Sequence, residues 1–176
     1  PVITSVTDDS VASDYSKVTL HGTGEPGAVI TLWVIAGSTT NGNDTQTGEY
    51  KELSSVTTTV SSDGSWTLDV SELGDVPVND NEFFKVTQSD SADNTSEFSN
   101  TVHYWHGNFE NVQTEVGDDF VLTGTGNDTI VIAADDVNGK LTVDGGAGTD
   151  GVVLQNFDVS QATFAIDSDG NLVISR

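Results

Sequence analysis

The sequence has no cysteine and no methionine, and it has only five lysine and arginine residues in 176. Without cysteine there is no disulfide framework, no thiolate nucleophile and no cysteine-ligated zinc site. The 28 aspartates and glutamates give a formal net charge of −23. That charge argues against nucleic-acid binding, which depends on lysine and arginine, and against an anionic membrane surface.

Long hydrophobic runs are also missing. The longest, about Ala28 to Ala36, is interrupted by Thr31 and has roughly half of the ~18 residues that a membrane-spanning helix needs. The chain starts at Pro1 without a basic segment followed by an apolar stretch, so no signal peptide is visible. We therefore expect a segment of a longer chain that does not insert into a membrane.

The sequence does contain many short runs rich in Val, Ile, Thr, Phe and Trp, separated by Gly, Asn, Asp and Ser. Apolar spacing at i, i+3, i+4 and i+7 is not sustained anywhere, so the pattern predicts an all-β protein. About seven strands are expected before residue 105, with turn signals roughly every 8–12 residues, which is typical of a seven-stranded immunoglobulin-like sandwich. Thr39 to Thr47 is predicted as a polar loop. The expected strands start near Val2, Val18, Ala28, Leu53, Trp66, Phe84 and Phe98.

The composition changes after Trp105. From Gly107 onward the chain has 10 of its 18 glycines and 10 of its 20 aspartates. We therefore predict two domains, 1–105 and 106–176, with the boundary at Trp105–Asn108. Each half is expected to be a separate folding unit.

Three motifs of the first half occur in a fixed order: "VTLHGTGEPGAVITLWV" (Val18 to Val34), "SSDGSWTLDV" (Ser61 to Val70) and "KVTQSDSADNTSEFSNTV" (Lys85 to Val102). In this order they resemble the bacterial immunoglobulin-like repeats found in tandem in giant surface adhesins. The chain departs from that family in a long insertion between Gly37 and Tyr50. Related repeats are stiffened by calcium at their junctions. The resemblance therefore implies ligands among Asp8, Asp9, Glu25 and Asp90; the alternative is that they are solvated loop acids.

The second half contains a nine-residue period. "TEVGDDFVL" (Thr114 to Leu122) is followed directly by "TGTGNDTIV" (Thr123 to Val131), and "GGAGTDGVV" (Gly145 to Val153) fits the nonapeptide G-G-x-G-x-D-x-U-x in full. Gly148 lies 22 residues after Gly126, which is one 18-residue turn plus four. This half resembles the RTX calcium repeat, and the resemblance implies a small RTX-like β-roll or β-sandwich domain.

The chemistry of a hard cation fits this spacing. Glycine permits backbone angles that turn carbonyl groups towards an ion, and aspartate supplies an anionic oxygen. Six positions in the common register are therefore candidate Ca²⁺ sites: Asp119, Asp128 and Asp150 with Gly117, Gly126 and Gly148. Because calcium takes six to eight oxygens, each shell must draw on neighbouring repeats. The alternative is that these Gly–Asp pairs are ordinary turns.

No motif places a nucleophile beside a base: the three histidines are scattered, and no G-x-S-x-G sequence occurs. We therefore expect no enzyme. The resemblances imply a calcium-stabilised, non-catalytic, monomeric segment of a secreted bacterial adhesin, exported by type I secretion to the cell surface, that supports adhesion and biofilm formation. Its expected partners are neighbouring domains of the same chain. The alternatives are a module that binds glycan or another host surface, and the accessory tail of an RTX hydrolase.

Overall fold

The structure is a computed structural model, and it describes residues 1–8, 18–36, 38–40, 43–45, 51–70, 81–105, 112–114, 118–123, 126–137 and 139–176. The chain is all-β across these ranges, apart from two three-residue 3-10 helices at Ala134–Asp136 and Val159–Gln161. The strands of the first half are β1 (Val2–Asp8), β2 (Val18–Thr23), β3 (Val29–Ala36), β4 (Ser38–Thr40), β5 (Asn43–Thr45), β6 (Lys51–Thr59), β7 (Ser65–Asp69), β8 (Asn81–Ser89) and β9 (Thr101–Trp105). Those that follow are β10 (Val112–Gln113), β11 (Asp118–Leu122), β12 (Thr129–Ala133), β13 (Lys140–Asp144), β14 (Gly151–Gln155), β15 (Thr163–Ile166) and β16 (Leu172–Ser175).

Two sheets face each other in the first half. One has the strand order β1-β2-β7, and the other contains β9-β8-β3-β6 within a larger sheet. All of these neighbours are antiparallel. In β7, Trp66 and Leu68 are buried and alternate with exposed Ser65, Thr67 and Asp69, which is the period-two pattern of a strand with one face in the core. The buried side chains of both sheets form one cluster.

Each of the seven stretches expected to hold a strand does contain one. The Ser62-Asp63-Gly64 hairpin turn is also present: the Gly64 N–H donates to the Ser61 carbonyl at 2.9 Å, and Gly64 has a φ of +85°. The loop prediction for Thr39 to Thr47 was wrong in part. β4 and β5 pair as a short antiparallel hairpin in that segment, because polar Ser, Thr and Asn residues can form a ladder without an apolar face to reveal it.

The strands that follow form a coil of parallel strands. Successive strands lie alternately in two sheets: β10, β12 and β14 pair in parallel in one sheet, while β11 and β13 pair in parallel in the other. Val112 lies opposite Ile130, and Ile130 lies opposite Val152. The first turn of the coil therefore has 18 residues, which is two nine-residue periods, and the second has 22, which is the spacing between Gly126 and Gly148.

The strand β11 belongs to two cores. It pairs in parallel with β9, so that one sheet runs through both halves in the order β15-β16-β13-β11-β9-β8-β3-β6. Phe120 and Leu122 pack into the core of the first half, whereas Val121, between them, packs into the coil core with Ile130 and Leu141. The expected boundary follows β9 directly, and residues 106–111 lie outside the described ranges. Separate folding of the halves stays a prediction.

Candidate functional site

Two turns of the coil stack directly on each other at the candidate register. The turn at Gly126, Asn127 and Asp128 leads into β12, and the turn at Gly148, Thr149 and Asp150 leads into β14. Gly126 donates its N–H to the Ala147 carbonyl at 2.8 Å. The Asp128 N–H donates to Asp150 Oδ1 at 3.0 Å. The two predicted aspartates are thus brought together through one backbone-to-carboxylate hydrogen bond.

Glycine is required where the two turns touch. Gly126 has a φ of +134° and Gly148 a φ of +149°, a region that residues with a side chain rarely adopt. A Cβ on Gly148 would lie 1.5 Å from the Gly126 carbonyl oxygen, and a Cβ on Gly145 would lie 2.6 Å from Asp150 Oδ2. The glycines of the period therefore let main chain and carboxylate oxygens approach closely.

The two aspartates of the register lie in different surroundings. Asp128 is buried, with 2% of its surface exposed, whereas Asp150 is exposed. The Asp128 carbonyl accepts the Gly151 N–H at 2.9 Å, so its backbone is fixed on both sides of the turn. A carboxylate removed from water is costly unless hydrogen bonds or a cation offset its charge. The buried Asp128 carboxylate is therefore the position where a bound cation would contribute most.

The donor set at these turns suits a hard cation. It consists of carboxylate oxygens and glycine-flanked carbonyls, which are the oxygen ligands that calcium takes. Within the described ranges, no three His, Asp or Glu side chains come together as a metal-binding group. An ion held here would need backbone oxygens of Gly126 or Gly148 beside the carboxylates of Asp128 and Asp150.

The other register positions are only partly described. Asp119 lies in β11, between Asp118, which pairs with Thr101, and Phe120. Gly117 lies outside the described residues. In the first half, Asp8 is the last residue of β1, and Asp9 also lies outside the described residues.

Glu25 and Asp90, the remaining predicted ligands, lie in exposed turns. The Glu25 carbonyl accepts the Ala28 N–H at 3.0 Å, which closes the turn whose Gly27 has a φ of +85°. Asp90 Oδ1 accepts the N–H groups of Ala92 and Asn94, and its Oδ2 accepts the Asn94 side-chain amide at 2.8 Å. These hydrogen bonds lower the pKa of Asp90 below its ordinary value. The Asn94 side chain has the largest effect, and the backbone N–H groups of Asn94 and Ala92 add to it. The Asp90 carboxylate thus closes its own loop.

Sequence reasoning missed three residues that hold the stacked turns. Asn127 Oδ1 accepts the Thr149 N–H at 2.8 Å, Asp144 Oδ1 accepts the Gly146 N–H at 2.8 Å, and the Thr123 hydroxyl donates to the Gly145 carbonyl at 3.0 Å. The Asp144 contact has a sequence signal, since aspartate accepts from the backbone two residues later in many turns. The contacts of Asn127 and Thr123 each span 22 residues, so only the alignment of the repeats could have indicated them.

No family model matches this chain, and no curated protein matches it. In the part of the chain that the structure describes, no helix is long and apolar enough to cross a membrane. Its function is therefore inferred from its own residues and their geometry.

Proposed function

We propose that the chain is a calcium-stabilised, non-catalytic segment of a large secreted bacterial surface adhesin, in which it acts as a stiff extension or support. In this proposal the first half is an immunoglobulin-like sandwich and the second half is an RTX-like β-roll. The protein would lie at the bacterial cell surface, with neighbouring domains of the same chain as its constant partners.

The stacking of Gly126–Asp128 on Gly148–Asp150 is the observation that carries this proposal. It places the Asp150 carboxylate against the backbone N–H of Asp128 in the preceding repeat, and the Asp128 carboxylate is itself buried. The parallel ladder of β12 and β14 accounts for the stacking by itself, but turn formation does not require a buried carboxylate. The parallel pairing of β12 with β14 supports the β-roll, and the two facing sheets of the first half support the sandwich.

Calcium would act through linkage between binding and folding. The chain carries 28 acidic side chains against five basic ones, so its charges repel one another when no cation is bound. An ion that binds only the folded form stabilises it by about 2.7 kcal/mol at 100 times its dissociation constant. In a producing cell with scarce free calcium the chain would remain loose enough for export, and outside the cell calcium would hold the fold.

Paired melting experiments test the proposal. The wild type, Asp128→Asn and Asp128→Ala are melted in millimolar calcium and in chelator, with Asp69→Ala as the control. Asp69 is exposed on the first-half strand β7, so its removal is expected to leave the calcium-dependent gain in melting temperature unchanged.

Asp128→Asn keeps the shape of the side chain and removes the buried charge. We expect it to melt at or above the wild-type temperature in chelator, because a buried charge has been removed, and to lose most of the calcium gain. Asp128→Ala is expected to lose the same gain. If both variants keep the wild-type calcium gain, or if the wild type shows none, the register consists of turns without an ion and the proposal is wrong.

A further inference from the structure

Exposed apolar side chains concentrate at one end of the coil. Among the described residues, eight large apolar side chains are exposed, and five of them lie within Val152 to Ile166. Ile166 is 66% exposed, and Val152 and Val153 are 41% and 44% exposed. Single exposed apolar residues are common on protein surfaces, but contiguous ones indicate interaction sites, and Val152 and Ile166 line the same cleft.

The strand β14 is an unprotected sheet edge at this end. Among the described strands it pairs only with β12, and its sequence from Gly151 to Gln155 has no charged residue and no proline. Charges, prolines and bulges are the usual means of blocking an open edge. The Gly151 N–H donates to the Asp128 carbonyl, on the side of β14 that faces β12. The backbone groups of successive residues in a parallel strand face alternate sides, so the N–H and C=O groups of Val152 and Leu154 face outward, away from β12.

A cleft adjoins this edge and combines an apolar floor with carboxylates. It has a volume of about 360 Å³ and lies between β14 and the turn that joins β15 to β16. Core residues Ile130 and Val143 line it from inside the coil, and Asp144, Asp150 and Asp169 line it as well. Asp144 and Asp169 do not belong to the register proposed for calcium, so the cleft stays acidic when that register is filled.

We propose that β14 and this cleft bind an extended polypeptide segment that adds to β14 as a further strand and carries apolar and basic side chains. The outward backbone groups of Val152 and Leu154 would pair with the added strand, as in other complexes formed by strand addition. The apolar floor would take its alternate side chains, and the carboxylates would take its lysine or arginine. A second copy of this chain is a poor occupant, because each copy has a net charge of −23.

A matched pair of labelled peptides serves as the probe. Both copy Thr129–Ala133, whose sequence already pairs with β14, and they differ only in having a lysine or a glutamate at each end. Binding is followed by fluorescence anisotropy in millimolar calcium. We expect the lysine peptide to bind at least about tenfold more tightly than the glutamate peptide.

Variants of the edge and the cleft locate the site. Val152→Pro removes an outward N–H and is expected to weaken lysine-peptide binding at least tenfold. Val153→Lys changes an exposed side chain beside the edge, should fold even if the proline variant does not, and is expected to weaken binding by a similar factor. Asp169→Asn should weaken binding of the lysine peptide about threefold and strengthen binding of the glutamate peptide, because it removes a negative charge from the cleft.

Four results would overturn the proposal. One is the absence of binding by the lysine peptide, and another is equal binding by both peptides. The third is unchanged binding by Val153→Lys at wild-type melting temperature. The fourth is self-association of the free chain at micromolar concentration, with Val153→Lys abolishing the association. That result would assign the edge to a second copy of the chain and would likewise overturn the proposal. None of these results depends on whether Asp128 binds calcium.

Discussion

Replacing Phe120 with alanine tests whether the coil stabilises the sandwich. Phe120 lies in the second half of the sequence, yet it is 8% exposed and packs into the core of the first half. A buried phenylalanine changed to alanine typically costs about 3–5 kcal/mol. Phe120 also borders a cleft of about 400 Å³ with Val2, Ile3 and Thr142, so neighbouring atoms or water can partly fill the space it leaves. We therefore expect the lower end, about 3 kcal/mol.

The assay is urea unfolding followed by tryptophan fluorescence. Trp66 is 3% exposed and reports on the first-half core, far along the chain from the substitution. A loss of about 3 kcal/mol corresponds to roughly 6–12 °C in melting temperature for a chain of this size. Phe164→Ala is the control, because it is the same change at a side chain that is 41% exposed, and it should cost less than about 1 kcal/mol.

A Phe120→Ala variant whose tryptophan transition coincides with that of the wild type would refute this reasoning. The same logic applies to a fragment that ends at Trp105, which the sequence predicts to fold alone. Such a fragment loses Phe120 and Leu122 from its core and leaves the edge of β9 open. We therefore expect it to be less stable than the same residues are in the full chain.

Two further predictions concern a glycine and a carboxylate. Gly148→Ala should lower the free energy of unfolding in urea by roughly 2–5 kcal/mol, because its Cβ would overlap the Gly126 carbonyl. Gly139→Ala is the control: Gly139 has a φ of +98° and open space around it, so the loss should be only about 1 kcal/mol. Equal losses for the two variants would contradict the close approach of Gly148 to Gly126. Asp90 has a pKa below its ordinary value because Asn94 holds its carboxylate. Its contribution to stability is therefore present above the pKa of an unfolded aspartate and is lost as the pH falls through the lower folded value. Carboxyl NMR titration should give a midpoint below that of an ordinary aspartate, and an ordinary midpoint would contradict the loop contacts.

Local patterns were enough to predict seven of the nine strands described in the first half, although not the polar hairpin of β4 and β5. In β7 the alternation of Trp66 and Leu68 with polar residues is itself the burial pattern, and Ser62-Asp63-Gly64 has the residue types that its turn requires. The nine-residue period likewise located Val121 and Ile130, both of which are in the coil core. These features depend on neighbours a few residues apart, so the sequence displays them directly.

Features set by distant contacts could not be predicted. The pairing of β9 with β11 leaves no local pattern, since Phe120, Val121 and Leu122 are apolar on both faces. Asp128 and Asp150 occupy the same place in their repeats, yet only Asp128 is buried, because burial depends on what is stacked above and below each turn. Asp90 is different, because its hydrogen bonds to Ala92 and Asn94 are local and its loop closure could have been predicted from turn chemistry.

The unequal turns of the coil have a consequence for how such a sequence can change over evolution. The step from β11 to β12 (Phe120 to Ile130) and the step from β13 to β14 (Thr142 to Val152) each have ten residues. The step from β10 to β11 (Val112 to Phe120) has eight, whereas the step from β12 to β13 (Ile130 to Thr142) has twelve. All four additional residues are thus accommodated at the single corner between β12 and β13, which holds the 3-10 helix Ala134–Asp136. Insertions and deletions at that corner alter the length of a repeat without shifting either ladder. Lineages can therefore lose a recognisable period in their sequences while every strand keeps its partner.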